Sequence, residues 1–280
     1  MRTAKVDYFY DFCNINPVKS HLMHLNPAKF PSGHASPVTR HPSPVTRHPS
    51  PVTRHASPVT RHPSPVTRHA SPVTCHEIKN IIFDFGGVIC NIDVNLTKQS
   101  ITALGLKKFD TGNSITSSTG LFEALETGAI PPERFREEIR PYFEHPVTDE
   151  QLDAAWNALL LDIPEPRIRM LEALRKNYRI FLLSNSNQIH YDHYVTTFRN
   201  QFGYADFDTL FEKAWFSFRI GMKKPSPDIF RHVLNHSRLE PAETLFIDDT
   251  LVHVQGAESL GIRGFHLEIE RGMQITDLFL

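Results

Sequence analysis

Residues 80–93 read NIIFDFGGVICNID. An apolar run of strand length, Asn80 to Phe83, delivers one carboxylate, Asp84, straight into the glycines Gly86 and Gly87. A strand that hands an acid to a glycine turn fits an α/β sheet, because parallel strands aim their carboxyl ends at one crevice. Gly86 stands where a second acid would let the site do proton transfer as well as nucleophilic attack.

Working outward, further strands are expected at Arg179 to Leu183, Lys213 to Ser217, Thr244 to Ile247 and Ile262 to His266. Helical patterns lie between them. PRIRMLEALRKN puts Ile168, Leu171 and Leu174 on one face, SPDIFRHVLNH carries proline in its first turn, and VQGAESLGI offers Ala257 and Leu260. Strand and helix in alternation predict a Rossmann-like, doubly wound parallel sheet. Residues 95–163 break the rhythm. There, LFEALETG and PPERFREEIRPYF are helical, with Phe135, Ile139 and Phe143 spaced by four, and Thr148 to Gln151 has the capping-box pattern. The expected organisation is a core of residues 76–94 and 164–280, and a small helical cap, 95–163, inserted where the first strand opens.

Residues 1–75 form a separate arm. From His34 to Cys75 a seven-residue unit, HASPVTR or HPSPVTR with a last HASPVTC, occurs six times. Proline in every unit excludes a coiled coil, and an extended, disordered state is expected. The chain's net charge of −1 hides an asymmetry: the arm holds nine Lys/Arg and two Asp/Glu, the other 205 residues 21 and 29. The arm reads as a linker or as translated repetitive DNA upstream of the true start, against the alternative of a basic tail for nucleic acid, an acidic partner or Ser-Pro recognition. Its regularly spaced histidines lack a preformed metal site. The three cysteines have no metal-ligand spacing and are expected to be free thiols. No apolar run approaches membrane-spanning length, and the N-terminus has no signal-peptide core. A soluble, cytoplasmic protein is expected, with no membrane or nucleic-acid partner.

The chemistry-bearing segments sit at strand ends or beside them: Asp84, Ser184 with Asn185, Lys224, and Asp248 with Asp249. Together they supply what phosphoryl transfer needs. Carboxylates hold Mg²⁺, one of them attacks phosphorus, and a hydroxyl, an amide and a lysine hold the non-bridging oxygens. A nucleotide cradle is not implied, since G-x-x-x-x-G-K-[ST] is absent and FDFGGV lacks the third glycine of a dinucleotide fingerprint.

In this order the four segments resemble the motifs of the haloacid dehalogenase (HAD) superfamily, over residues 78 to about 270, with the insert placed like the small cap of its first subclass. Within it the chain most resembles the branch containing α-D-glucose-1-phosphate phosphatase. The shared features are D-x-G-x-V at Asp84, Ile92-Asp93, Ser184-Asn185-x-Asn187-x-x-His190, and Ser217 followed by Gly221-Met222-x-Lys224-Pro225. The resemblance implies that Asp84 forms an aspartyl-phosphate and that Ser184 and Lys224 grip the phosphoryl group. It places Mg²⁺ on Asp84, the carbonyl of Gly86 and Asp248, with Asp249 ligating directly or through water. The implied substrate is a small phosphorylated metabolite, such as a sugar phosphate like glucose 1-phosphate.

Asp93 is a candidate for the proton that Gly86 does not supply, against the alternative of a helix cap or surface acid. His190, and Asn185 beside Ser184, are candidates for substrate contact; the plainer reading of His190 is a satisfied loop histidine. His193 lies near the same mouth. Trp156 stacks on a sugar or packs in the cap. The chain departs from the branch at His253, where the branch has asparagine, and at Arg219, where it tends to be acidic. The alternatives to a phosphatase are a metal-independent dehalogenase, disfavoured by the retained Asp248 and Asp249, and a catalytically silent scaffold.

Overall fold

The computed structural model describes residues 77–106 and 120–279. The arm 1–75, with its repeats, Cys13 and Cys75, and the stretch 107–119 lie outside the described residues.

Five strands, β1 (Asn80–Phe83), β2 (Arg179–Ser184), β3 (Lys213–Phe216), β4 (Thr244–Asp248) and β5 (Arg263–His266), form one parallel sheet ordered β3-β2-β1-β4-β5. The opening strand is central, and all four of its residues are buried. Period-two alternation sorts the sheet's side chains into two cores. On one face Ile81, Phe83, Leu182, Phe216 and Ile247 meet α5 (Glu165–Leu174), through Ile168 and Leu171, and α6 (Gln188–Phe202), through Tyr194 and Phe198. On the other, Ile82, Phe181, Leu183 and Phe246 meet α8 (Pro227–Ser237), through Ile229, Phe230 and Val233, and Ala257 of α9 (Leu251–Glu258). Helices cover both faces, so the sheet is doubly wound. A last short helix, α10 (Ile275–Phe279), packs Phe279 against Phe83.

The strand expected to run to Ser217 stops at Phe216. Ser217 begins the four-residue helix α7 (Ser217–Ile220), and its hydroxyl both accepts from the Ser186 amide (2.9 Å) and donates to the Ser186 carbonyl (3.0 Å). One side chain thus satisfies the backbone that a longer strand would have paired.

Between β1 and β2 lie α1 (Val94–Ala103), α2 (Leu121–Glu126), α3 (Pro132–Ile139) and α4 (Asp149–Asn157). They share an apolar cluster of their own that includes Ile101, Leu125, Phe135, Ile139, Phe143 and Leu152, joined from the core side by Ile189. Phe143 is buried as its spacing predicts, but beyond the helix end, because Pro141 has no amide to continue the ladder. The capping box on α4 is present, with Thr148 Oγ1 accepting from the Gln151 amide and Gln151 Oε1 from the Thr148 amide. The chain crosses between core and insert at Asn91–Asp93 and again at 159–162. These crossings pair antiparallel through Ile92 and Leu160, with Asn91 N donating to Asp162 O (2.9 Å) and Asp93 N to Leu159 O (2.9 Å). Among the described residues no helix is long and apolar enough to cross a membrane.

Candidate active site

The carboxyl ends of β1, β2 and β4 converge as parallel topology requires. Asp84 follows β1, Ser184 ends β2, and Asp248 ends β4 with Asp249 next to it. Oxygens of Asp84, Asp248 and Asp249 lie within 4.8 Å of one another. Lys224 arrives from the loop after α7. Its Nζ donates to Asp84 Oδ1 (2.6 Å), Asp248 Oδ2 (2.7 Å) and the Leu183 carbonyl (2.9 Å), and the residue is only 1% exposed. All three ammonium protons have acceptors, as a buried lysine needs.

Asn185 does not reach outward as expected of a substrate ligand. Its amide closes a two-bond clamp on the Lys224 backbone, Nδ2 donating to Lys224 O and Oδ1 accepting from Lys224 N, both at 2.9 Å. It thereby sets where the ammonium stands. Among the described residues Ser184 Oγ makes only a long 3.5 Å contact with the neighbouring Asn185 carbonyl, which leaves the hydroxyl available.

Charge in the site is unbalanced. Burial, reinforced by the charges of Asp248 and Asp249, outweighs Lys224 and pushes the Asp84 carboxyl up to about 7. Burial, then Asp248, raises Asp249 as well. For Asp248 burial also opposes ionisation, but Lys224 and His253 overcome it and hold the carboxyl at about 2. Three acids facing one ammonium are short of positive charge, and an all-oxygen donor set suits a hard divalent cation. Such an ion fits on Asp84, Asp248 and Asp249.

The glycines have different reasons. Gly87 has φ +76°, and a Cβ there would lie 2.2 Å from Asp249 Oδ2, so the turn must be glycine for the acid to fit. At Gly86 a Cβ would meet Ile92 Cδ1 at 3.2 Å. A side chain at residue 86 would therefore press on Ile92, in the segment that crosses to the insert.

Asp93 is the N-cap of α1, with Oδ1 accepting from the Asn95 amide at 2.9 Å. His190 is 9% exposed; its Nδ1 lies 2.8 Å from Asn157 Oδ1 and its ring stacks on Trp156. Trp156 packs on Phe122 and Phe135 too, inside the cap. His193 is exposed. Arg219 lies 4.0 Å from the Tyr191 ring centroid, over a cluster that includes Phe216 and Phe218. His253, flagged for departing from asparagine, supports Asp248, with Nδ1 at 3.1 and 3.2 Å from its two oxygens. Sequence reasoning missed His266, whose Nε2 lies 2.9 Å from the Asp249 carbonyl. Only the register that sets His266 beside Asp248 reveals it.

The profile of haloacid dehalogenase-like hydrolases matches residues 78–261, and the chain belongs to that family. It is 32% identical over 191 residues to D-ribitol-5-phosphate phosphatase of Bacteroides thetaiotaomicron, covering 68% of this chain and 92% of that one. Among solved structures, a HAD family enzyme of the same organism, in complex with magnesium and inorganic phosphate, aligns with a TM-score of 0.63 at 35% identity. The alignment covers 72% of this chain and 100% of that one. A HAD-like family hydrolase from Porphyromonas gingivalis aligns at 0.62 and 33% identity, covering 68% and 90%.

Proposed function

We propose that the protein is a Mg²⁺-dependent phosphatase of a small phosphorylated metabolite of the sugar or polyol class. The observation that carries this reading is the convergence of Asp84, Asp248 and Asp249 within 4.8 Å, with Lys224 bridging two of them. The likeness to a D-ribitol-5-phosphate phosphatase and to a magnesium–phosphate complex supports it. It also widens the expected substrate from glucose 1-phosphate to polyol phosphates.

Asp84, Asp248 and Asp249, with the Gly86 carbonyl, would hold the metal. Mg²⁺ bound there would supply positive charge to offset the carboxylates and the phosphoryl oxygens, so that one anion could approach another. A carboxylate oxygen of Asp84 attacks phosphorus, the bond to the leaving oxygen breaks, and an aspartyl-phosphate forms. Ser184 and Lys224 donate to the non-bridging oxygens. Water then cleaves the acyl phosphate, releasing inorganic phosphate and restoring the Asp84 carboxylate. Asn185 acts through Lys224, and His253 through Asp248. We assign no part of turnover to residues 1–75.

Asp93 is the proposed donor of the proton that the leaving oxygen needs. One of its oxygens caps α1, and the other has no hydrogen bond among the described residues. Asp93→Asn keeps the cap and removes the proton. It is expected to lower kcat on an alkyl phosphate by roughly 10² or more, and to spare p-nitrophenyl phosphate, whose leaving group needs no proton. Equal loss on both esters would show a structural role only.

The test of function is phosphate release from D-ribitol 5-phosphate, glucose 1-phosphate and other sugar phosphates, with Mg²⁺ and with EDTA. Metal-dependent turnover ranked toward polyol or sugar phosphates is expected. Turnover unaffected by EDTA, or none on any ester, would contradict the reading.

A further inference from the structure

Where cap and core meet, two neighbouring polar groups have unfinished hydrogen bonding. His190 lies in the first turn of α6, on the segment that leaves Ser184 at the end of β2. Asn157 closes α4 of the cap. Assigning the Asn157 amide oxygen as the acceptor at 2.8 Å puts the His190 proton on Nδ1 and leaves Nε2 its lone pair. Burial, with a smaller contribution from His193, lowers the imidazole pKa to about 3, so the ring is neutral at physiological pH. No hydrogen bond among the described residues reaches Nε2.

The Trp156 ring lies parallel to the imidazole, 6° between planes and 5.4 Å between centroids. Its indole N–H is buried and has no acceptor among the described residues. A buried donor without a partner costs free energy unless a ligand or a water completes it. An unpaired donor and an unpaired acceptor on adjacent stacked rings are the complement of a hydroxyl, which accepts at oxygen and gives its own proton. Phosphate oxygens alone match only the donor, and an ammonium only the acceptor.

We propose that Trp156 and His190 form a hydroxyl-reading subsite for the part of the substrate beyond its phosphate, selecting polyol phosphates over phosphates of plain alkyl chains. The proposal rests on the phosphatase reading. The two rings come from cap and core, so the subsite is complete only with the cap seated. Asn157 is a positioning residue, since it fixes the tautomer without touching the hydroxyl.

The test compares kcat/KM on D-ribitol 5-phosphate and on n-pentyl phosphate, which has the same chain length and no hydroxyls. His190→Phe keeps a stacking ring and removes the acceptor; Trp156→Phe removes the donor. For His190→Phe a roughly tenfold to hundredfold loss is expected on the ribitol ester, with the pentyl ester within about twofold. Trp156→Phe should fall short of it in the same direction. Nitrogen NMR of the wild-type imidazole should show the proton on Nδ1. Equal losses on both esters, no loss on either, as a merely bound water would give, or a proton on Nε2 would overturn the subsite. A wild-type protein inert on both esters would sink the phosphatase reading, and the subsite with it.

Discussion

At Gly86 the question raised by the sequence has a steric answer. A side chain there would crowd Ile92, whose Cδ1 would stand 3.2 Å from the new Cβ and would have to give by a few tenths of an ångström. Because Cδ1 is the far end of a flexible chain, Gly86→Asp should fold at a cost of about 1–3 kcal/mol. Trimming the obstacle should recover part of that, so Gly86→Asp combined with Ile92→Ala is expected to be less destabilised than the two single changes summed. A double-mutant cycle by urea unfolding measures this, and strict additivity would show that the two positions do not compete for space. Individual residues of the site were legible to different degrees. Asp84, Ser184, Asp248 and Asp249 stood out because chemistry demands those types at strand ends, and Lys224 because it demands a cation in a loop beside them. Asn185 and His253 were visible as polar residues in the right segments. Their actual work, holding Lys224 and Asp248, depends on side-chain directions that no spacing encodes.

The elements most coupled to one another across the cap boundary are α4 and α6, through Trp156, Asn157 and His190. A histidine buried neutral there makes the seam sensitive to acid. The unfolded chain takes up the His190 proton below its ordinary 6.5, while the native ring resists until about 3. The contribution is therefore fully present above pH 6.5 and lost as pH falls between those values, by up to about 1.4 kcal/mol per pH unit. Denaturation of the wild type and His190→Phe from pH 7 to pH 4 should show the steeper loss in the wild type; parallel curves would contradict the buried neutral ring. The strands were readable because apolar runs and alternation are local signals. Their ends were less so: β3 stops where the Ser217 hydroxyl takes over backbone bonding, a tertiary event. Helix α3 ended early because of Pro141, a local signal that the spacing of Phe135, Ile139 and Phe143 concealed.

For the whole molecule, parallel topology turned a list of four segments into one site. The order β3-β2-β1-β4-β5 puts the β1 carboxylate between the Ser184 strand and the Asp248 strand, so convergence needs no special placement. The insert crosses from β1 to the rest through the paired hinge at Ile92 and Leu160, directly beside Gly86. Lys223 ties the loop before Lys224 to the cap through Glu126 at 3.2 Å and Glu123 at 3.7 Å. Cap position and site are thus joined at three places: hinge, lysine loop and histidine seam. The seam was the least legible of them, since it needs side chains far apart in sequence to face each other. The central claim, that Asp84 attacks phosphorus at a metal-loaded carboxylate cluster, is tested most directly by phosphate release from D-ribitol 5-phosphate. The wild type and Asp84→Asn are compared, each with Mg²⁺ and with EDTA. Turnover is predicted only for the wild type with metal, with Asp84→Asn lower by about 10³-fold or more. Undiminished phosphate release by Asp84→Asn, or by the wild type in EDTA, would contradict the account.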